Sequence, residues 1–211
     1  RDVLGSRGLG DVYKRQFIQT KIKHLYIIET NIYGDNRGYF FESYNKKDFF
    51  EAGLKMNFVQ DNESKSKKGV LRGLHFQTQN TQGKLVRVTQ GEVYDVAVDL
   101  RKGSPTYGQY EGVILSEENK RQLYIPEGFA HGFLVLSDTA TFVYKCTDFY
   151  NHNAESGILW NDPTLNIDWP IKDINEIILS DKDKLHSTFK EFNSPFKYNL
   201  SLIHISEPTR P

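Results

Sequence analysis

The feature that most constrains the fold is a series of short runs in which apolar and polar residues alternate. In residues 92–100, Tyr94, Val96 and Val98 fall on one face of an extended chain, which is the period of two expected for a strand. Similar runs recur roughly every 8–12 residues and are divided by Gly, Pro and Asn turns. The pattern predicts an all-β sandwich or barrel with a few short helices, in one domain that covers residues 17–200.

Residues 69–91 are the segment around which the other strands are predicted to pack. Alternation places two sets of side chains on opposite faces of the first strand: Val70, Arg72, Leu74 and Phe76 on one, and Leu71, Gly73, His75 and Gln77 on the other. A turn at residues 79–83 leads to a second strand at residues 84–88, so His75 and Lys84 are expected on adjacent strands of a hairpin. The alternative interpretation is a half-exposed hairpin with ordinary surface charges.

Other short elements are predicted before this hairpin. Residues 39–44 are rich in aromatic side chains and are expected to form a strand, whereas residues 46–52 are expected to form a short helix. Residues 56–62 are predicted to be a further strand, and the basic residues 65–69 are predicted to be a turn.

The charge balance and the cysteine content exclude several classes of partner and structure. Lys and Arg together number 27, and Asp and Glu together also number 27, so the net charge is zero. A zero net charge gives no support for nucleic acid or an anionic membrane as a partner. No apolar run approaches the ~18–20 residues that span a bilayer, and no signal-peptide pattern is visible. Cys146 is the single cysteine, which excludes an intrachain disulfide and makes a reducing, cytoplasmic setting the expectation.

The two ends of the chain differ from the body between them. Residues 1–16 show no helical or strand period, and residues 201–211 also look unlike an edge of the domain. Both are predicted to be non-native tails and are left out of the fold prediction. The alternative is a pair of ordinary frayed termini.

Three histidines in the strand-rich body are candidate metal ligands: His75, His131 and His152. A metal-binding cupin usually offers two His one residue apart, followed by a Glu, but the residues at that spacing from His75 are Gly73 and Gln77. The later cupin element is matched at residues 126–131. With most of the ligand set missing, no metal site is predicted.

Metal-free acid–base chemistry is the alternative that these residues favour. His75 is the natural base because imidazole titrates near neutral pH, and Lys84 could stabilise a developing oxyanion. Tyr144 could donate a proton from the side opposite the histidine, although an ordinary core aromatic would show the same pattern. Asp183 would orient His75 if the C-terminal segment folds back over the strand.

Several long motifs follow one another through the body of the chain. They are G-V-L-R-G-L-H-F-Q at residues 69–77, Q-G-K-L-V-R-V at residues 82–88, G-E-V-Y-D-V-A-V-D-L-R at residues 91–101 and N-K-R-Q-L-Y-I-P-E-G-F-A-H-G-F at residues 119–133. Shorter ones lie at residues 34–44, 58–62 and 159–163. Together they resemble the dTDP-4-dehydrorhamnose 3,5-epimerase family, over most of the body and over neither tail.

The resemblance implies a cupin jelly roll that works as a homodimer without metal or cofactor. The implied substrate is a thymidine diphosphate-linked 4-keto-6-deoxyglucose, whose 4-ketone acidifies the hydrogens on C3 and C5. The implied catalytic residues are His75 as base, Asp183 as its dyad partner, Tyr144 as the acid and Lys84 beside the enolate oxygen at C4. The implied substrate-binding residues are Arg37, Glu42, Gln60, Asn62, Arg72, His131, Tyr150, Glu155 and Lys182.

The same resemblance assigns places within that binding set. Arg72 and His131 are expected near the sugar and the diphosphate, which the fork of an arginine binds with paired hydrogen bonds. Tyr150 is expected to stack on the thymine ring. Arg37 and Glu42 are expected to come from the N-terminal strands of the second copy in the dimer.

Three alternatives remain open at the level of the sequence. An epimerase acting at one carbon, or on a different deoxysugar nucleotide, would share His75 and Lys84, and Tyr144 favours the double epimerase over it. A metal-dependent cupin oxygenase would carry stoichiometric metal. A non-catalytic sugar-binding jelly roll would bind the nucleotide sugar without any proton exchange.

Overall fold

The computed structural model describes residues 15–198, and most of their secondary structure is strand. The strands are β1 (Gln16–Gln19), β2 (Tyr26–Glu29), β3 (Tyr33–Asp35), β4 (Gly38–Phe40), β5 (Gln60–Lys67), β6 (Leu71–Gln77), β7 (Lys84–Gln90), β8 (Glu92–Asp99), β9 (Tyr110–Ser116), β10 (Gln122–Ile125), β11 (Phe129–Val135), β12 (Thr139–Cys146) and β13 (Glu155–Gly157). The helices of this range are α1 (Lys46–Glu51) and two single 3-10 turns, His152–Ala154 and Asp183–Leu185. Across these residues, no helix has the length and apolar character needed to cross a bilayer.

Two antiparallel sheets pack face to face and enclose the main core. The six-stranded sheet has the order β1-β2-β10-β7-β12-β5 and the five-stranded sheet the order β13-β6-β11-β8-β9, while β3 and β4 form a separate ribbon. Phe142 of the first sheet stacks on Phe133 of the second with ring centroids 4.1 Å apart, and both are buried. The predicted all-β cupin jelly roll with a few short helices is therefore confirmed.

The prediction that His75 and Lys84 lie on adjacent strands of a hairpin is wrong. β6, which carries His75, belongs to the five-stranded sheet, whereas β7, which begins with Lys84, belongs to the six-stranded sheet. Residues 78–83 therefore cross between the sheets, and local sequence does not distinguish such a crossing from a hairpin turn. His75 pairs with the buried His131, and Lys84 pairs with the core residue Ile125, so the two side chains approach the interior from opposite sheets.

A β-bulge at Gly73 decides which side chains of β6 face the interior. Its register on β11 pairs Arg72 with Phe133 and His75 with His131, so Arg72 and His75 project to the same side. Strict alternation had placed those two residues on opposite faces, and that prediction is wrong because the bulge adds one residue to the strand. Gly73 is needed there, since its φ is +137° and an added Cβ would lie 2.6 Å from the backbone of β11.

The remaining short elements agree with the sequence in part. The helix predicted at residues 46–52 is confirmed as α1, whose N-terminus is capped by the Asn45 side chain. The strand predicted at residues 39–44 is confined to β4. The strand predicted at residues 56–62 begins only at β5, which runs on through the predicted turn at residues 65–69. Since β5 contains no apolar residue, hydrophobic alternation cannot reveal it, and its pairing with β12 forms the strand instead.

The C-terminal part of the chain packs across the outer face of the five-stranded sheet. The backbone N–H of Leu71 donates to Ile178 at 3.0 Å, and that of Leu159 donates to Ser187 at 3.0 Å. Leu165 and Trp169 contribute to a second buried cluster on this face. This packing carries the turn Asp183–Leu185 to the side of β6.

The predicted tails, residues 1–16 and 201–211, lie largely outside the described residues. Arg15 and Gln16 are the exceptions. Gln16 pairs with Glu29 in the β1–β2 ladder, and Arg15 makes an ion pair of 2.8 Å with Asp48. That the tails are non-native remains a prediction.

A buried ion pair fixes the end of β8. Arg101 donates to both carboxylate oxygens of Asp99, at 2.8 and 2.9 Å, and its guanidinium lies 4.5 Å from the centre of the Phe129 ring. Burial opposes ionisation of Asp99, but hydrogen bonds from Arg101, Ser104 and Thr106 hold the pKa of Asp99 below its ordinary value. The fold therefore depends on both partners being present.

We expect Arg101→Met to lower the free energy of unfolding by about 3–5 kcal/mol, because it leaves a buried carboxylate without its partner. Denaturant titration at neutral pH measures this loss. Arg121→Met is the matched control, since it removes an exposed ion pair with Glu29 (2.8 Å) and should cost less than about 1 kcal/mol. Equal losses in the two variants would contradict the assignment.

Candidate active site

His75 of β6 and Asp183 of the C-terminal segment form a close pair. Nε2 of His75 lies 2.6 Å from Oδ1 of Asp183, which is 3% exposed. Burial opposes ionisation of Asp183, but the neighbouring His186 and His75 side chains and the Gly73 backbone N–H hold the pKa of Asp183 well below its ordinary value. An ionised carboxylate only accepts hydrogen bonds, so His75 donates from Nε2 and presents its Nδ1 lone pair as a base.

Tyr144 and Lys84 occupy the inner face of the opposite sheet. Tyr144 of β12 packs against the main core, and Nζ of Lys84 lies 6.0 Å from the centre of its ring. Burial raises the pKa of the Tyr144 hydroxyl, which therefore keeps its proton at neutral pH. The interior thus has a base on one sheet, and a protonated donor with a lysine beside it on the other.

Arg72 and His131 project to the same side of the five-stranded sheet, where Arg72 is exposed and His131 is buried. Nε of Arg72 donates to Oγ of Ser66 at 3.1 Å, which links β6 to β5 of the opposite sheet. His131 is buried, and its Nε2 lies 2.9 Å from Oδ2 of Asp95. Burial lowers the pKa of His131 despite the opposing effect of Asp95, so His131 is a neutral hydrogen-bond donor to that carboxylate.

Five of the predicted substrate-binding residues form one connected group: Gln60, Asn62, Tyr150, Glu155 and Lys182. The Tyr150 hydroxyl donates to Glu155 at 2.6 Å, and Lys182 donates to the same carboxylate oxygen. Gln60 accepts from the Tyr150 backbone N–H at 2.9 Å and donates to Asn62 at 3.0 Å. Tyr150 is 54% exposed, so its ring is open to a stacking partner.

Arg37 and Glu42 lie away from this group. Arg37 is on the β3–β4 ribbon, where its Nε donates to Asp35 at 3.1 Å and 85% of its side chain is exposed. Glu42 lies 3.6 Å from Arg15. Within residues 15–198 of one copy, no hydrogen bond or ion pair joins either residue to the surroundings of His75.

Sequence reasoning missed two residues of this region, Asp95 and His186. Asp95 is a carboxylate among apolar residues of the buried strand β8, and this was the signal that could have found it. Its Oδ1 is buried and makes no hydrogen bond among the residues that the structure describes. Nε2 of His186 lies 3.3 Å from Oδ1 of Asp183, and none of the sequence motifs described above predicts that contact.

Three side chains with metal-ligating atoms converge at the dyad. The ligand atoms of His75, Asp183 and His186 all lie within 4.8 Å of one another. This set differs from the cupin set considered above, and it is one donor short of a closed tetrahedral zinc site. That the protein works without metal or cofactor stays a prediction.

Comparison with known proteins gives one consistent result. The family model described as dTDP-4-dehydrorhamnose 3,5-epimerase matches residues 19–191. The dTDP-4-dehydrorhamnose 3,5-epimerase of Methanothermobacter thermautotrophicus is 54% identical over 176 residues, which cover 83% of this chain and 95% of that relative. The enzyme of the same name from Salmonella typhimurium is 58% identical over 166 residues, with coverage of 78% and 91%.

A solved structure extends the likeness to three dimensions. It is the dTDP-6-deoxy-D-glucose-3,5-epimerase of Legionella pneumophila in complex with dTDP-4-keto-L-rhamnose. The superposition has a TM-score of 0.85 and 53% sequence identity, and it covers 88% of this chain and 100% of that one.

We expect Lys84 to lose its proton at a lower pH than an ordinary lysine with a pKa of 10.5. Burial is the cause, because it disfavours the charged ammonium, and the acidic groups of Cys146, Asp95 and Glu155 only partly oppose it. NMR titration of the lysine ε-carbons measures the shift, and Lys84→Arg identifies the signal. A Lys84 signal that titrates together with the surface lysines would contradict this account.

Proposed function

The chain belongs to the dTDP-4-dehydrorhamnose 3,5-epimerase family, and we propose how its residues carry out the reaction. The reaction inverts C3 and C5 of a dTDP-linked 4-dehydro-6-deoxy-D-glucose and yields dTDP-4-dehydro-L-rhamnose, a step of dTDP-rhamnose biosynthesis. The observation that supports this mechanism best is that His75 and Tyr144 lie on opposing sheets. An inversion needs a base on one face of the sugar and an acid on the other.

Proton abstraction is assigned to His75. Its Nδ1 takes the proton from C3, while the neighbouring 4-ketone stabilises the carbanion as an enolate. Before a second round at C5, His75 releases its proton to solvent and Tyr144 regains one from solvent. The imidazolium that forms donates from Nε2 to the ionised Asp183 at 2.6 Å. Lys84 stabilises the negative charge that develops on the oxygen at C4.

Proton return is assigned to Tyr144. Its raised pKa keeps a proton on the hydroxyl at neutral pH, so it delivers that proton to the face of the enolate opposite His75. The reaction moves protons and no electrons, so it needs no redox cofactor, and the charge on the enolate oxygen is assigned to Lys84 instead of a metal ion. This is the physical basis for expecting a metal-free and cofactor-free enzyme.

Binding of the nucleotide sugar is assigned to two sets of residues, namely Arg72 with His131, and the connected group that contains Tyr150. Arg72 and His131 would contact the sugar and the diphosphate, and the exposed Tyr150 ring would stack on thymine. Gln60, Asn62, Glu155 and Lys182 would form the wall beside it. We propose no nucleic-acid or membrane partner. We also propose a cytoplasmic setting, in which the sugar nucleotide is available.

A homodimer is part of the proposal because, within residues 15–198 of one copy, the hydrogen bonds and ion pair of Arg37 go to Asp35 and not to the dyad. The β3–β4 ribbon pairs with neither main sheet, and it exposes Tyr33, Tyr39 and Phe40 by 53%, 59% and 67%. An exposed aromatic ribbon of this kind fits contact with a second copy. There Arg37 and Glu42 would complete the partner's site.

We expect the protein in D₂O to place deuterium at both C3 and C5 of dTDP-4-keto-6-deoxyglucose, as followed by proton NMR. His75→Asn should abolish exchange at both carbons, because general base catalysis is typically worth ~10²–10⁴-fold. It should leave dTDP binding intact, since the residues assigned to the nucleotide do not include His75. Exchange at C3 alone would indicate a single-carbon epimerase, and binding without exchange would indicate a non-catalytic sugar-binding protein.

Tyr144→Phe separates the acid from the base. With His75 intact, protons are still removed and returned on the same face, so deuterium should enter while the configuration is retained. Tyr107→Phe is the control, since this tyrosine lies on a loop and packs on Phe189. Inversion at the wild-type rate in Tyr144→Phe would remove Tyr144 from the mechanism.

The shared site predicts complementation between two inactive variants. In a mixed dimer of Arg37→Ala and His75→Asn, one site would combine His75 of the first copy with Arg37 of the second. Co-expression in equal amounts should therefore restore about a quarter of wild-type activity, because half of the dimers are mixed and each has one intact site. Activity no higher than that of the separate variants would place Arg37 outside the partner's site.

A further inference from the structure

His186 is a buried histidine that the mechanism above does not use. Only 8% of its side chain is exposed, and its Nε2 lies 3.3 Å from Oδ1 of Asp183. The same oxygen accepts from Nε2 of His75 at 2.6 Å. The two imidazole rings meet edge to face, with centroids 5.5 Å apart and an interplanar angle of 79°. Asp183 is therefore flanked by two histidines.

The backbone forms a slot for the His186 ring. Gly157 of β13 pairs directly with His75 of β6, and a Cβ at Gly157 would lie 2.4 Å from Nε2 of His186. The neighbouring Ser187 is fixed by a bridge to Ile158. The ring thus lies against a glycine backbone that is itself paired to the catalytic strand, so the fold holds it beside the carboxylate.

The chemistry of the slot fixes what His186 does there. Among residues 15–198 its buried Nε2 has no well-aligned hydrogen-bond partner, and Oδ1 of Asp183 is the acceptor at 3.3 Å. Leaving a buried donor unpaired is unfavourable, and Oδ1 of Asp183 is within reach of it. Because the ionised Asp183 only accepts hydrogen bonds, a ring hydrogen of His186 belongs on Nε2.

We infer that His186 is a positioning residue for proton abstraction, acting through Asp183. Its N–H holds the carboxylate from a second side and keeps it aimed at His75. When His75 takes a proton at Nδ1, the second donor also disfavours transfer of the Nε2 proton to Asp183, so the dyad keeps its charges separated. This inference rests on the proposed role of His75 as base.

The test compares His186→Ala with His186→Gln, whose amide N–H reaches the place of Nε2. Leu185→Ala changes an exposed neighbour in the same turn and is the matched control. The readouts are kcat, the pH profile of kcat/KM, dTDP affinity and thermal unfolding. The other charged or titratable groups around His75, namely Glu155 with Lys182, and His131 with Lys84, are unchanged in all three variants.

In His186→Ala we expect kcat to fall about tenfold and the acid limb of the pH profile to move up by about one unit. The sign follows because the carboxylate, with one donor fewer, interacts more strongly with the charged form of His75. In His186→Gln and Leu185→Ala, the acid limb of the pH profile of kcat/KM should stay at its wild-type position. The affinity for dTDP should be unchanged in all three variants. Gly157→Ala should displace the His186 ring without removing it, and it should therefore shift the acid limb in the same direction. It replaces His186→Ala in the test if that variant does not fold.

Two outcomes overturn the inference. One is a His186→Ala enzyme whose kcat and whose acid limb in the pH profile of kcat/KM are both those of the wild type. The other is equal loss in His186→Ala and His186→Gln, accompanied by lower thermal stability and no movement of the limb, which is a purely structural effect. Failure of the proposed function is distinguishable, because wild-type protein would then show no exchange or His75→Asn would retain it.

Discussion

The hydrogen bond between His75 and Asp183 is the interaction on which the site depends. Asp183 is almost fully buried, so its charge is tolerable only while donors surround it. The groups that favour this charge are the His75 side chain and the Gly73 backbone N–H, both on β6, and the neighbouring His186 within the C-terminal segment itself. The backbone pairing of residue 178 with residues 69 and 71 brings the segment to that place. The His75–Asp183 pair is thus assembled by packing of the C-terminal segment on the five-stranded sheet.

The double-sheet architecture accounts for the stereochemical demand of an inversion. A single sheet face would bring base and acid to the same side of a substrate, whereas two sheets facing each other present groups to both sides. His75 stands on one sheet, and Tyr144 with Lys84 stands on the other. The crossing at residues 78–83 separates the strands of His75 and Lys84, and the proposed mechanism depends on that separation.

Local pattern could predict only part of this arrangement. Alternation and turn residues indicated the sandwich and α1. The family resemblance implied roles for His75, Asp183, Tyr150 and Glu155, and the structure joins them as two hydrogen-bonded pairs, His75 with Asp183 and Tyr150 with Glu155. The bulge at Gly73 could not be predicted because it depends on the register with β11, and β5 was hidden because both of its faces are polar. The contact of His186 with Asp183 depends on a slot at Gly157, which is created by strand pairing.

The most direct test of the account is the crystal structure of the His75→Asn variant with dTDP-4-keto-6-deoxyglucose bound. The account predicts the sugar ring between the two sheets, with C3 and the Tyr144 hydroxyl about 3–3.5 Å apart and the side chain of residue 75 on the other face. The oxygen at C4 should contact Lys84. A sugar with residues 75 and 144 on the same face, or with C4 turned away from Lys84, would contradict the proposed division of roles between the two sheets.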